Sequence, residues 1–466
     1  MTTMLSSAGG WEWEVRTRAD SVEQFLETQQ WQQKWPEQGQ QESGTELENS
    51  DMTSIEEDGA LVPLPTLREA ICDPIRQRKL FVQKLRQCQK MLDFGDPMKQ
   101  KQEKEVKADA LKELNEFVAI GRNSALLANE EIGTELFKTM ECNLFRVLPP
   151  SAYSPQWSES NSEDLLGSSP SSSLFLEPAW PHLQLVYRLL RQLIDRLSAE
   201  QLDPFISDCF CLNALELLRS ADSREREKAR QIVHGIYTKL TERRTGIRKQ
   251  MANILLSHTF ESMPFNGVDE LLQILGDIIN GFNVPLKEEH RQFLFRVLLP
   301  LHKSPALPMF FSKLVYCVML FVEKDASLAK PVIKSLLRNW PSKSGIREIL
   351  FITELDEILS QVGEDQFRAI MKPLVGRLVR CTTSQNARLA ERALLLWKSP
   401  KMLTFLKDHS QLAFPEAIRA IDKAQRHWSS GVIAMSAKTM DALRMALTEA
   451  DKQQQRRHGE EKAEGI

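Results

Sequence analysis

The sequence predicts an all-α fold, a solenoid of stacked helix pairs, and three observations support this. From about Leu67 to Leu443, apolar residues recur at helical spacing, and no strand-like alternation runs for any length. Glycine accounts for only 20 of 466 residues, below the usual ~7%, which favours long helices. One apolar stripe also recurs at a period near 40 residues, which is typical of helical-repeat proteins.

The repeat consists of four stripes with the spacing i, i+3, i+4, i+7. They begin at Met251, Phe295, Ile333 and Met371, so that successive starts are 44, 38 and 38 residues apart. A helix pair with such an apolar face cannot bury it alone, so neighbouring pairs must stack. We therefore expect the four stripes to lie on equivalent helices of one array.

Composition also suggests where the array begins and ends. Residues 1–65 are rich in Gln, Glu, Ser and Gly and are predicted to form a disordered tail. The array is predicted to span residues 66–445, interrupted by a loop at 151–178 with ten serines in 28 residues. Residues 446–466 are strongly charged and are predicted to form a C-terminal tail.

The first three helices are predicted from their apolar stripes. The first carries apolar residues from Leu80 to Phe94, with basic residues such as Lys84 on the solvent side. The second runs from Val106 to Ile120, and the third from Leu126 to Leu148.

Charge and composition argue against several classes of protein. The net charge of −3 lacks the basic excess of a nucleic-acid-binding protein. No apolar run approaches 18 residues, so we expect no membrane span, and the N-terminus lacks the features of a signal peptide. Seven scattered cysteines fit a reducing compartment, the cytoplasm or the nucleus.

The sequence contains no recognisable catalytic motif. Phosphate-binding loops, dinucleotide-binding glycine turns, nucleophile elbows and paired zinc-binding histidines are all missing from it. Carboxylates such as Glu354, Asp356 and Glu357 are predicted to lie at solvent positions of amphipathic helices. We therefore expect a binding protein with no catalytic residues, metal or cofactor.

Several long segments occur in an order that is known from one family. They are Leu80–Cys88, Asn143–Pro150, Ala179–Tyr187, Leu275–Phe282, Pro285–His290, Val297–Lys303, Phe321–Asp325 and Ala390–Trp397. Together they resemble the B-prime family of protein phosphatase 2A regulatory subunits, over roughly Thr66 to Trp428. The resemblance implies a HEAT-like solenoid that docks on the scaffold (A) and catalytic (C) subunits. It also implies recruitment of substrates through Leu-x-x-Ile-x-Glu short linear motifs.

The resemblance also implies a motif-binding pocket within the stretch Ser223–Lys303. The residues that match it are His234, Tyr237, Arg244, Ile274, Ile278, Lys287 and His290. Their chemistry suits the roles: two isoleucines one helical turn apart can form an apolar floor, and a tyrosine can form a wall. The basic residues can bind the acidic residue of the motif, and the histidines can donate to the peptide backbone.

The chain departs from the resembled family at Gly235. The family has an arginine directly after the residue that matches His234. Since an arginine–carboxylate hydrogen bond contributes roughly 1.5–3 kcal/mol, we expect weaker or differently tuned capture of acidic and phosphorylated motifs.

A second interpretation is a helical-repeat scaffold or transport adaptor that is not coupled to a phosphatase. Co-purification separates the two, because a targeting subunit should bring down the scaffold and catalytic chains.

Overall fold

The computed structural model describes residues 60–70, 72–120, 129–148, 175–261, 265–408 and 410–464. Within these ranges the protein forms eighteen α-helices and no β-strand, which confirms the all-α prediction. The predicted N-terminal tail, up to residue 59, and most of the predicted Ser-rich loop lie outside the described residues. The chain divides into two compact units, Met1–Asn143 and Leu144–Ile466.

The described residues of the first unit form three helices, α1 (Pro74–Gln89), α2 (Lys101–Ala119) and α3 (Glu130–Leu144), the last of which ends at the boundary. The Asp73 carboxylate caps α1 by accepting the backbone N–H groups of Ile75 and Arg76, at 3.1 Å each. Helices α1 and α2 pack together, with the Phe81 and Phe117 ring centroids 4.9 Å apart. The third helix is shorter at both ends than the predicted Leu126–Leu148.

The helices of the second unit follow in chain order. They are α4 (Trp180–Arg196), α5 (Ala199–Leu202), α6 (Asp208–Glu216), α7 (Ser223–Lys239), α8 (Arg244–Phe260), α9 (Val268–Asn280), α10 (Glu288–Phe293), α11 (Leu307–Lys324), α12 (Ala329–Arg338), α13 (Gly345–Leu359), α14 (Glu364–Thr382), α15 (Ala387–Trp397), α16 (Pro400–Asp408), α17 (Ser410–Ala424) and α18 (Ser430–Glu464). The predicted boundary at residue 445 falls inside α18.

All of these helices except the short α5 and α16 form two rows. In one row α4, α7, α9, α11, α13, α15 and α18 each contact the next. The other row begins with α6 and α8 and continues through the turns that follow α10. It then passes through α12, α14 and α17. Since consecutive members of a row are separated in sequence by a helix or turn of the other row, the unit is a stack of helix pairs.

The four repeated stripes all lie in the second row, as expected. The first stripe lies on α8 and the second on the turns after α10. The third lies on α12, with Trp340 just beyond the end of the helix, and the fourth lies on α14. Most of their residues are buried, although Phe295 is 36% exposed and Leu337 only partly buried. The period near 40 residues therefore corresponds to one helix pair.

Two charged residues predicted to face solvent are buried. Lys84 is 4% exposed, and its ammonium lies 2.7 Å from the Glu113 carboxylate on α2. Glu354 is 0% exposed, and its carboxylate accepts a 2.8 Å hydrogen bond from His302. In both cases a partner of opposite charge on a neighbouring element makes burial of the charge tolerable.

Candidate functional site

The seven predicted site residues lie on four consecutive elements of the second unit. Helix α7 carries His234 and Tyr237, Arg244 begins α8, and α9 carries both isoleucines. Lys287 and His290 lie at the start of α10. Helix α7 contacts α9 directly, and α8 packs against the π-helical turn Leu294–Leu298 that continues α10. The row arrangement therefore gathers the four elements in one region.

Tyr237 lies between two arginines. The Arg244 guanidinium lies 5.3 Å from the centre of the Tyr237 ring, and its Nε donates to the Tyr237 carbonyl oxygen at 2.8 Å. Its Nη2 donates to the Thr238 carbonyl oxygen at 2.9 Å, so Arg244 also satisfies the C-terminal carbonyls of α7. The Tyr237 hydroxyl accepts a 3.1 Å hydrogen bond from Arg248 Nη1. The tyrosine is therefore fixed in orientation and flanked by positive charge.

Arg248 was not among the predicted site residues. It lies in the segment Ile247–Gln250, one turn beyond Arg244 on α8. The spacing of four residues places the two arginines on one helix face. That spacing could have indicated from the sequence that Arg248 lies near the same site as Arg244.

His290 and Lys287 stand at the far side of this cluster. The His290 ring stacks on Phe282, with centroids 3.9 Å apart and planes at 4°. Burial lowers the pKa of His290, and the nearby positive charges of Lys287 and Arg248 lower it further against the opposing effect of Glu289. The environment of His290 therefore favours its neutral form. The Lys287 ammonium is exposed, 3.7 Å from the Glu289 carboxylate.

The two isoleucines differ in accessibility. Ile274 is 0% exposed, whereas Ile278 retains 7% of its surface. Ile278 directly follows Asp277, whose carboxylate lies 3.4 Å from Nε2 of His234 on α7. Of the two isoleucines, only Ile278 keeps a small accessible surface, and Ile274 is fully enclosed in the core. The acidic Asp277 was not foreseen from the sequence.

Gly235 faces helix α4. A Cβ atom at this position would lie 2.9 Å from Arg191 Nη1 and 3.1 Å from Ile194 Cγ2. The space that a side chain at 235 would enter first is therefore filled by the guanidinium of Arg191.

The arrangement is suited to binding. An oriented aromatic ring, partly exposed cations and the edge of an apolar helix can hold a peptide with one acidic and one branched apolar residue. Across the described part of the chain, no three His, Cys, Asp or Glu side chains are grouped so that they could hold a metal ion. The same part contains no helix that is long and apolar enough to cross a membrane.

Comparisons with known proteins identify relatives over most of the chain. The model of the family described as protein phosphatase 2A regulatory B subunit (B56 family) matches residues 65–465. The 56 kDa regulatory subunit alpha isoform of serine/threonine-protein phosphatase 2A from Mus musculus is 36% identical over 386 residues, 82% of this chain and 76% of that protein. The regulatory subunit pptr-1 of Caenorhabditis elegans is 37% identical over 84% of this chain and 69% of its own. The B' alpha isoform of the 57 kDa regulatory subunit from Arabidopsis thaliana is 38% identical over 80% of this chain and 74% of its own.

Proposed function

The chain belongs to the B56 family of protein phosphatase 2A regulatory B subunits, and on that premise we propose that it recruits phosphatase substrates through acidic Leu-x-x-Ile-x-Glu motifs. The family consists of regulatory subunits, so the chain is not the catalyst. In this proposal it joins the scaffold and catalytic subunits in the cytoplasm or the nucleus. It then brings motif-bearing proteins to the phosphatase.

The observation that carries the motif proposal is the fixed position of Tyr237 between Arg244 and Arg248. The proposed pose lays the isoleucine of the motif against the Tyr237 ring and Ile278. In that pose, the glutamate of the motif meets the arginines and Lys287. Charge-assisted hydrogen bonds from guanidinium groups are among the stronger ones that a peptide carboxylate can accept.

A peptide titration tests the role of the cluster. Fluorescent Leu-x-x-Ile-x-Glu peptide is titrated with the full-length protein, its Arg248→Gln variant and its Lys249→Gln variant. Both variants lose one charge at adjacent positions of α8, but Lys249 is exposed and Arg248 contacts Tyr237. We expect Arg248→Gln to weaken binding about tenfold, since one charged hydrogen bond is lost.

The Lys249→Gln variant should bind like the wild type. Equal losses in both variants would mean that general charge attraction, and not the Tyr237 cluster, holds the peptide. A peptide with alanine in place of isoleucine should fail to bind the wild-type protein.

Assembly is tested separately from motif binding. The full-length protein is captured from cell extract, and associated chains are identified by mass spectrometry. A regulatory subunit should bring down the scaffold and catalytic chains together. Recovery of motif-bearing proteins without them would favour the adaptor that is not coupled to a phosphatase.

A further inference from the structure

Arg191 on α4 lies across the position where Gly235 has no side chain. Its Nη1 donates to the Gln231 carbonyl oxygen on α7 at 2.9 Å, and a Cβ on Gly235 would come within 2.9 Å of that same nitrogen. Even an alanine at 235 would displace the guanidinium. The glycine therefore makes room for an arginine that reaches over from the neighbouring helix.

The Arg191 guanidinium retains capacity to bind a further anion. Its Nε donates to the Asp195 carboxylate at 2.9 Å, and its Nη2 makes no hydrogen bond to any described residue. The Arg191 side chain is 40% exposed and that of Asp195 54%, so the pair is an exposed i,i+4 contact of little strength. A guanidinium carries five N–H donors, which allows it to keep both contacts and bind another carboxylate.

The position of this guanidinium relative to the motif site follows from α7. Gln231, His234 and Gly235 fall within about one turn of the helix, ~5.4 Å along its axis. His234 belongs to the candidate site and faces Asp277 on α9. Arg191 therefore contacts α7 within one turn of His234, on the side of the helix that packs against α4.

We propose that Arg191 is a specificity-determining residue that supplies, from α4, the arginine contact to the acidic residue of the docking motif. This inference rests on the proposed motif recognition. In the resembled family an arginine at the position of Gly235 stands on α7, whereas here the cation comes from the adjacent helix. In this proposal, Arg191 offsets the weaker binding of acidic motifs that is expected from the glycine at position 235.

Two peptides and two matched variants test the assignment. The peptides carry Glu or Gln at the acidic position of Leu-x-x-Ile-x-Glu, and each is titrated with the full-length protein. Arg191→Gln is compared with Arg188→Gln, which removes an exposed arginine one turn earlier on the same helix. We expect Arg191→Gln to bind the Glu peptide about tenfold more weakly and the Gln peptide unchanged. Arg188→Gln should bind both peptides like the wild type.

A rescue variant controls for loss of structure. In the Arg191→Ala, Gly235→Arg double variant the guanidinium is returned to α7, into space that the alanine vacates. We expect it to recover most of the lost discrimination between the Glu and Gln peptides.

The possible results separate the two proposals. If the wild type binds the Glu peptide but Arg191→Gln does so equally well, or loses both peptides alike, the role of Arg191 is refuted while motif recognition stands. If the wild type binds neither peptide, the proposed motif recognition fails, and this inference fails with it.

Discussion

His302 illustrates how a buried ionisable residue is held in the second unit. Its Nδ1 lies 2.9 Å from the Leu299 carbonyl oxygen and its Nε2 lies 2.8 Å from the Glu354 carboxylate. The Leu299 carbonyl and the Glu354 carboxylate can both accept hydrogen bonds, so they favour the ring that carries a proton on each nitrogen. Burial alone would lower the pKa of His302, but the charge and hydrogen bond of Glu354 outweigh it and raise the pKa above 6.5.

This pair makes stability depend on pH. A histidine whose pKa is higher in the folded state stabilises the protein fully below its unfolded pKa, near 6.5, and the contribution is lost as pH rises through the folded value. We therefore expect the free energy of unfolding to fall with rising pH above about 6.5. Urea denaturation at a series of pH values measures this. In Glu354→Gln the slope should shrink, and an unchanged slope would assign it to other groups.

The charge at the start of α7 shows how an element is anchored to its neighbours. Glu225 is fully buried and accepts hydrogen bonds from Arg146 at 2.7 and 2.9 Å, from Ser220 at 2.6 Å and from Tyr187 at 3.1 Å. It lies in the first turn of α7, where a negative charge interacts favourably with the helix dipole. The network therefore fixes the N-terminal end of the helix whose other end carries His234 and Tyr237.

Removing the negative charge of Glu225 should strongly reduce the stability that α7 gives to the fold. Glu225→Gln keeps the shape of the side chain but leaves Arg146 with Glu177 as its remaining carboxylate partner, and we expect a loss of about 3 kcal/mol in the free energy of unfolding. Glu227→Gln, two residues on, removes a partly exposed pair with Arg230 and should cost less than about 1 kcal/mol. Urea denaturation compares them, and similar losses would contradict an anchoring role for Glu225.

The sequence predicted elements better than it predicted contacts between them. The stripes that begin at Met251 and Met371 were placed on equivalent helices because burial on a helix leaves a periodic pattern. Lys84 and Glu354 were misplaced because periodicity shows the face of a helix but not the oppositely charged partner that lies on another one. The proximity of Arg191 to Gly235 was missed for a similar reason, since the two residues are 44 positions apart in sequence.

At the scale of the second unit, the two rows bring distant parts of the sequence into the candidate site. Helices α4, α7 and α9 are successive members of one row, so residues from Arg191 to Ile278 can border the same surface. Helix α15, by contrast, contacts its own neighbours and lies several members further along the row. In a stack of this kind each pair is stabilised mainly by the pairs beside it.

A core substitution far along the row should therefore have local effects. Trp397 on α15 is fully buried and donates a 2.9 Å hydrogen bond to the Thr382 hydroxyl, so Trp397→Ala should cost about 3–5 kcal/mol. The control, Trp428→Ala, removes a tryptophan that is 71% exposed and should cost little. Hydrogen exchange of the Trp397→Ala variant should show loss of protection in α13 to α18 and retained protection in α4, α7 and α9.

The motif-peptide titration gives this prediction a functional readout. Below its unfolding temperature, the Trp397→Ala variant should bind the Leu-x-x-Ile-x-Glu peptide with wild-type affinity, because α7 to α10 do not contact α15 closely. Uniform loss of protection along the second unit would show that it unfolds as a single cooperative body. In that case peptide affinity would fall together with stability, and the candidate site would depend on the whole stack and not on its nearest repeats.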